Sequence, residues 1–166
     1  RLFFTPNPVK LVVENSPKIS ADIPYHPDNR ELGSRKVEAE GEFYISGGDF
    51  EEMKVGDVFR LKYLMNLRII EKTDEHVRAE FLSREPMKNI KIIQWVPANE
   101  AIRVKVLVPD IIYLNDEINP NSLKIVDGFG ERAIDDVEVG EIVQFERFGF
   151  CRRDSELELL FIKAHD

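Results

Sequence analysis

At 166 residues, 43% hydrophobic and 33% charged, the chain has the make-up of a soluble globular protein with one domain or two small ones. No apolar run approaches the ~20 residues that a membrane-spanning helix needs. A net charge of -8 and a pI near 5.0 speak against nucleic-acid binding over the whole surface, because phosphate contacts need clustered Lys and Arg.

Bases nevertheless exceed acids from Arg84 to Lys105 and around Arg147 to Arg153, which leaves room for a positive groove on an acidic body. The opening RLFFTPNPVK lacks the layout of a signal peptide, and a start at Arg1 inside an aromatic run points to a piece of something longer. One cysteine forms no internal disulfide, so the expected setting is the reducing cytoplasm.

Strand signals follow one another along the chain. Val9 to Glu14, Gly41 to Ile45, Val58 to Glu71, His76 to Leu82 and Ile90 to Val96 are rich in β-branched and aromatic residues. Ile102 to Val108, Ser122 to Val126, Glu141 to Phe150 and Glu156 to Ala164 continue the pattern. Turn chemistry separates them at 46–49, 72–74, 119–121 and 127–130, and helical signal is confined to a turn near Asp49 to Met53. The expected class is all-β, as barrels or a sandwich.

An internal repeat sharpens this. VGDVFRLKYL (Val55 to Leu64) matches VGEIVQFERF (Val139 to Phe148), and PVKLVVEN (Pro8 to Asn15) echoes RVKVLVPD (Arg103 to Asp110) in the same order. The expectation is two small duplicated β-barrels that share a seam, joined near Ser83 to Asn99. Residues 1–84 would form the first, completed by C-terminal strands, and residues 85–166 the second with its return strands. Seams of this kind are common binding sites.

No catalytic constellation stands out. His26, His76 and His165 are far apart with no partner at metal-ligand spacing. The carboxylate pairs Glu51/Glu52 and Asp135/Asp136 fall in turns, and neither Gly47–Gly48 nor Gly128–Phe129–Gly130 has phosphate-loop spacing. Cys151 reads as a buried spectator thiol or one activated by its arginine neighbours. Two segments remain. PYHPDNRELGSRKV (Pro24 to Val37) places Tyr25, His26, Arg30, Arg35 and Lys36 on an irregular loop, which suits a stacked base and its phosphate or an ordinary solvated loop. VQFERFGFCRRD (Val143 to Asp154) puts Arg147, Arg152 and Arg153 among phenylalanines; in it Val143, Phe145 and Phe148 would pack the core while Gln144 faces outward. Arg147 shares the face of Phe145 in a regular strand, so an outward role there requires a bulge or a strand end.

PVKLVVEN, the HP…GSRKV segment, IKIIQWV and VQFERFGFCRRD together resemble, in order and over essentially the whole chain, the C-terminal anticodon-binding domain of class I glutamyl- and glutaminyl-tRNA synthetases. The IIQWVP and VQFERFGFCRRD runs look most like the archaeal glutamyl type. The resemblance implies two β-barrels with the anticodon loop bound where they meet. It also implies that Gly33–Ser34–Arg35 and Gln144–Phe145–Glu146–Arg147 converge on the middle anticodon base. Arg35 and Gln144 would bond its uridine, Arg147 would support the pocket, and Lys36 and Arg30 would lie on the same loop. For the outer bases it points to the neighbourhood of Arg84, Lys88, Lys91 and Arg103, with Met87 and Asn89 standing where relatives often carry a cation.

The implied function is anticodon recognition for an ATP-dependent glutamate–tRNA ligase. The implied partner is glutamate tRNA, with glutamine tRNA as a second candidate, and neither DNA nor a membrane. ATP and magnesium would belong to a catalytic domain N-terminal to residue 1. The alternatives are the same domain of a glutaminyl-tRNA synthetase, a ribosomal-type β-barrel protein that binds RNA by shape, and a structural β-module pairing through an edge strand.

Overall fold

The computed structural model describes residues 1–109, 113–114, 117–118, 123–155 and 159–166. The expected turn at 119–121 lies outside the described residues. The fold is all-β with two curled sheets, each wrapped around its own core.

The first sheet holds β2 (Val9–Glu14), β5 (Glu42–Ile45), β6 (Val58–Leu61), β7 (Met65–Lys72), β8 (His76–Ser83), β9 (Lys91–Ile93) and β10 (Val96–Pro97). The second holds β1 (Phe4–Pro6), β11 (Ile102–Pro109), β14 (Leu123–Gly130), β15 (Ile142–Phe145), β16 (Gly149–Arg153) and β17 (Leu160–His165). A separate hairpin of β3 (Ile19–Pro24) and β4 (Ser34–Ala39) covers the first core with Ile19, Ala21, Ile23, Val37 and Ala39. A two-residue pair of β12 (Tyr113–Leu114) and β13 (Glu117–Ile118) completes the strands.

Alternation in the sequence explains the strands. Leu11 and Val13 on β2, and Val104 and Val106 on β11, point into their cores while Glu14, Arg103 and Lys105 face solvent. The strand order β5-β2-β8-β7-β6 in the first sheet is repeated as β14-β11-β17-β16-β15 in the second. Parallel pairing falls at the same place in both, β2 with β8 and β11 with β17. The repeat is therefore structural.

Closure of the two sheets is reciprocal. Residues 91–97 run from the β6 edge, paired in parallel through β9, to the β5 edge, paired antiparallel through β10. Residues 2–6 do the same for the second sheet: Leu2 bridges Phe145 in parallel and β1 pairs antiparallel with β14. Each segment thus leads one copy of the repeat and closes the other. The strands that complete the first sheet come from residues 91–97, beyond the expected division at 84/85, and not from the C-terminus.

Adjacent residues of the N-terminal segment enter different cores. Phe3 meets Trp95 edge-on at 5.7 Å in the first core, and Phe4 meets Phe145 at 5.0 Å in the second. Across the seam, Tyr44 of β5 stacks on Phe129 of β14 at 4.3 Å.

Three local expectations change. Val58 to Glu71 and Glu141 to Phe150 are each broken by a tight turn, at residues 62–64 and 146–148, where Tyr63 (φ 66°) and Arg147 (φ 63°) are left-handed. Part of the irregular loop 24–37 is strand β4. Residues 127–130 are strand and not turn: a side chain at Gly128 would meet Phe4 Cε1 at 2.5 Å and Thr5 O at 2.6 Å, so glycine there admits β1 against β14.

Candidate nucleic-acid interface

The seam gathers Arg35, Gln144, Arg147 and Lys91 of the residues singled out by sequence. Gln144 is the third residue of β15, on the face opposite Phe145, which is fully buried. Gln144 Oε1 accepts from Arg1 Nε at 2.9 Å, and its amide nitrogen makes no hydrogen bond with the described residues. It lines a cleft of about 650 Å³ whose other walls include Leu2, Tyr25, His26 and Ala133. Leu32 and Ile142 are exposed on its lips, while Asp136 and Glu141 keep its rim from being uniformly positive. Apolar walls, the rings of Tyr25 and Phe150 and an amide with its N–H donors unused suit a flat heteroaromatic ring better than a phosphate.

The loop that carries Tyr25 and His26 is held at its base. Tyr25 N donates to Gly33 O at 3.1 Å, and Asn29 Oδ1 caps a single 3-10 turn, Arg30–Leu32, by accepting from Glu31 N at 3.1 Å. Arg35 is the deeper anchor. Its Nε and Nη2 donate to the two oxygens of Glu131 at 2.7 Å each, and its Nη1 donates to Ile23 O at 3.2 Å and Pro24 O at 2.9 Å. The two side chains are 8% and 3% exposed. Four of the five N–H donors of the guanidinium are thereby engaged inside the protein. Its plane also lies near the rings of Tyr25 (5.1 Å) and Phe3 (5.4 Å). Glu131 in turn accepts from Phe3 N at 2.6 Å, so one carboxylate ties β4 to the segment that closes the second sheet.

Arg147 lies in the turn after β15, so the strand ends where an outward Arg147 requires it to. Its Nη1 and Nη2 donate to the carboxylate of Asp49 at 3.1 Å each. Asp49 sits in the short helix α1 (Gly47–Glu52), capped by Ser46 Oγ, which accepts from Asp49 N at 3.2 Å. The same Asp49 Oδ1 lies 3.3 Å from Lys91 Nζ, which also reaches Glu52 at 2.5 Å. These carboxylates, Glu52 foremost, raise the Lys91 pKa. Beside them Lys62 pairs with Glu146 across the seam, and these residues occupy matching places in the two turns. Burial, with Arg1 and Arg147 nearby, lowers the Lys62 pKa. Trp95 Nε1 donates to Lys62 O at 2.8 Å, and the buried Gln94 Oε1 has no hydrogen-bond partner.

The remaining candidates are dispersed. Lys36 is exposed and lines a separate recess of about 350 Å³ with Arg132 and Glu100. Arg30 and Lys88 are exposed and form no ion pair with the described residues. Arg103 lines a third groove, about 600 Å³, with Lys105, Asp127 and Phe129 on the second sheet. Asp49, Glu131 and Lys62 were not singled out by sequence. Only two of them left a trace there: Ser46-x-x-Asp49 is a helix-start signature, and Lys62 aligns with Glu146 in the repeat. Cys151 is fully buried, and burial pushes its thiol up to about 12, so it is an inert core residue. Among the described residues no three His, Cys, Asp or Glu are grouped to hold a metal, and no helix is long and apolar enough to cross a membrane.

Comparison with known proteins agrees with this geometry. The model of the class I tRNA synthetase (E and Q) anti-codon binding domain matches residues 1–83, and a second model of that description matches residues 92–154. A glutamate–tRNA ligase of Nitrosopumilus maritimus is 38% identical over 161 residues, covering 97% of this chain and 28% of that protein. One of Korarchaeum cryptofilum is 34% identical over 167 residues (100% and 28%), and one of Methanocaldococcus jannaschii is 38% identical over 160 residues (94% and 26%). The chain thus spans little more than a quarter of the length of these curated relatives. Two barrels in the order of the repeat, a seam holding the Gln-Phe-Glu-Arg turn, and matches to both halves lead to one conclusion: the chain belongs to the anticodon-binding domain family of class I glutamyl- and glutaminyl-tRNA synthetases.

Proposed function

We propose that this chain reads the anticodon of tRNA for an enzyme that uses ATP to attach glutamate to that tRNA. The observation that carries the reading is the cleft at the seam, where Gln144 and the Tyr25–His26 loop face one another. A uracil edge presents an N–H between two carbonyl oxygens. The Gln144 amide offers two N–H donors and an oxygen whose second lone pair is left by Arg1, a complementary set. Tyr25 supplies an aromatic wall for stacking. Arg35, with one donor left, acts by fixing the loop beneath the base, while Arg147 and Lys91 contact the RNA nearby. Lys88 and the Arg103 groove serve the outer bases, and Lys36 and Arg30 add to the general attraction for phosphate.

The names of the archaeal relatives favour glutamate over glutamine as the amino acid. Glutamate tRNA is the proposed partner, with glutamine tRNA as the second candidate because the family model covers both enzymes. A cytoplasmic setting is proposed with it, where a lone free thiol is ordinary. The described residues offer magnesium no grouped set of ligands, and the sequence carries no phosphate-loop spacing for ATP. That chemistry is assigned to the remaining length of the enzyme.

The test is tRNA binding by the full-length enzyme carrying Gln144→Ala. Loss of the amide should weaken binding of a tRNA with a central anticodon uridine by about 1–3 kcal/mol, and binding of a tRNA altered at that base far less. Equal losses on the two tRNAs would remove Gln144 as a base reader. Indifference of the unaltered enzyme to the anticodon would favour the ribosomal-type reading.

A further inference from the structure

Asp49 joins two cations that come from opposite sides of the seam. Arg147 belongs to the β15–β16 turn of the second barrel, and Lys91 begins the segment that closes the first. Both reach the same oxygen, Asp49 Oδ1, Arg147 through Nη2 at 3.1 Å and Lys91 through Nζ at 3.3 Å. The Asp49 side chain is 4% exposed, whereas Arg147 and Lys91 are 46% and 44% exposed. The carboxylate is therefore underneath and the cations are on top of it. Three N–H donors of Arg147 and one of Lys91 remain beyond these contacts and those to Glu52.

Without a negative charge between them, two cations this close would repel and separate. We propose that Asp49 is a positioning residue that makes Arg147 and Lys91 a single clamp for the phosphodiester backbone of the bound RNA loop. Asp49 touches no RNA; it sets the spacing of the two groups that do. Its own place is fixed by the Ser46 cap and by the Phe50 N to Ser46 O bond at 3.0 Å, so the clamp is anchored to a rigid turn. The inference rests on the RNA-binding reading given above and adds a coupling to it: the two barrels grip the backbone together or not at all.

The experiment is a binding cycle on the full-length enzyme with a tRNA carrying a central anticodon uridine. Arg147→Ala and Lys91→Gln should each weaken binding and lower the salt slope by about 2, the change of losing both phosphate contacts, since neither cation holds without the other. Asp49→Asn should weaken it about tenfold, because both cations lose their shared support. Asp49→Glu, which keeps the charge, should retain most of the affinity. In combination, Asp49→Asn with Arg147→Ala should lose no more than Arg147→Ala alone. Should Asp49→Asn unfold the protein, the Lys91→Gln/Arg147→Ala pair tests the same coupling, and additive losses there overturn it. Tighter binding by Asp49→Asn would show a latch and overturn the proposal. If neither cation variant changes binding, the RNA-contact reading of Arg147 and Lys91 falls; if they do and Asp49→Asn does not, only the role of Asp49 falls.

Discussion

Hairpin β6–β7 of the first barrel and hairpin β15–β16 of the second share one pairing register and one kind of turn. Gly56 and Gly140 enter them with φ of 95° and 87°, and Tyr63 and Arg147 turn them at 66° and 63°. Lys54 N donates to the Asp57 carboxylate, and Glu138 N donates to the Glu141 carboxylate, both at 2.9 Å. The side chains part company on this common frame. Where the second barrel has Gln144 in an open cleft, the first has Arg60, which is buried and donates to Asn66 Oδ1 at 3.1 Å and Arg84 O at 3.0 Å. Asn66 holds Glu85 O as well. The first barrel uses its matching position to fasten the linker to β9, and the second leaves it open in a cleft. Duplication thus supplied two frames, and the linker decided which one stayed open.

Four substitutions test that division. The largest effect should come from Glu131→Ala, which leaves the buried Arg35 charge without its partner. Urea denaturation should show a loss of about 3–5 kcal/mol, since a buried charge stripped of its counter-ion costs far more than an exposed one. A loss below about 1 kcal/mol would mean that the two barrels are held by packing alone. Next is Arg60→Ala. It frees Asn66 and the carbonyl of Arg84, so stability should fall by about 1–3 kcal/mol. Discrimination among anticodons should stay unchanged, the reverse of Gln144→Ala; altered discrimination would erase the contrast between the barrels. The smallest effects should come from Gly56→Ala and Gly140→Ala. Both sites are sterically open, so each change costs only the left-handed backbone, about 1–2 kcal/mol, and equally. Unequal thermal shifts would show that one hairpin carries strain the other lacks.

The turns inside the two hairpins were hidden, because neither Tyr63 nor Arg147 is a residue type that favours a left-handed backbone; the repeat was legible because its Val-Gly-acid step is local and needs no distant partner. Gln144 was legible for the same reason, since alternation about Phe145 places it on the outer face. Hairpin β3–β4 was hidden by prolines and charges, and its strands exist because Ile19, Ile23 and Val37 cover a core assembled from elsewhere in the chain. The burial of Arg35 was not legible, because it depends on Glu131, 96 residues away. Asp49 left no sign beyond a helix start because Arg147, 98 residues away, supplies its partner. Spacing in sequence carries no trace of either encounter. Cys151 read correctly as a spectator, having only packing to satisfy.

The reciprocal closure has a consequence for how this domain comes into being on the ribosome. Until residues 91–97 emerge, the first sheet has both β5 and β6 as bare edges, which are templates for unwanted pairing. Residues 2–6 must meanwhile wait, apolar and unpaired, for strands β14 and β15 to be made. Neither half can be completed by its own stretch of chain, so cutting between the repeats yields two open sheets in place of two small barrels. Folding is then committed late and all at once, with long sequence separations that slow it. The seam is assembled in that same final step, so a half-made domain lacks the cleft that Gln144 lines.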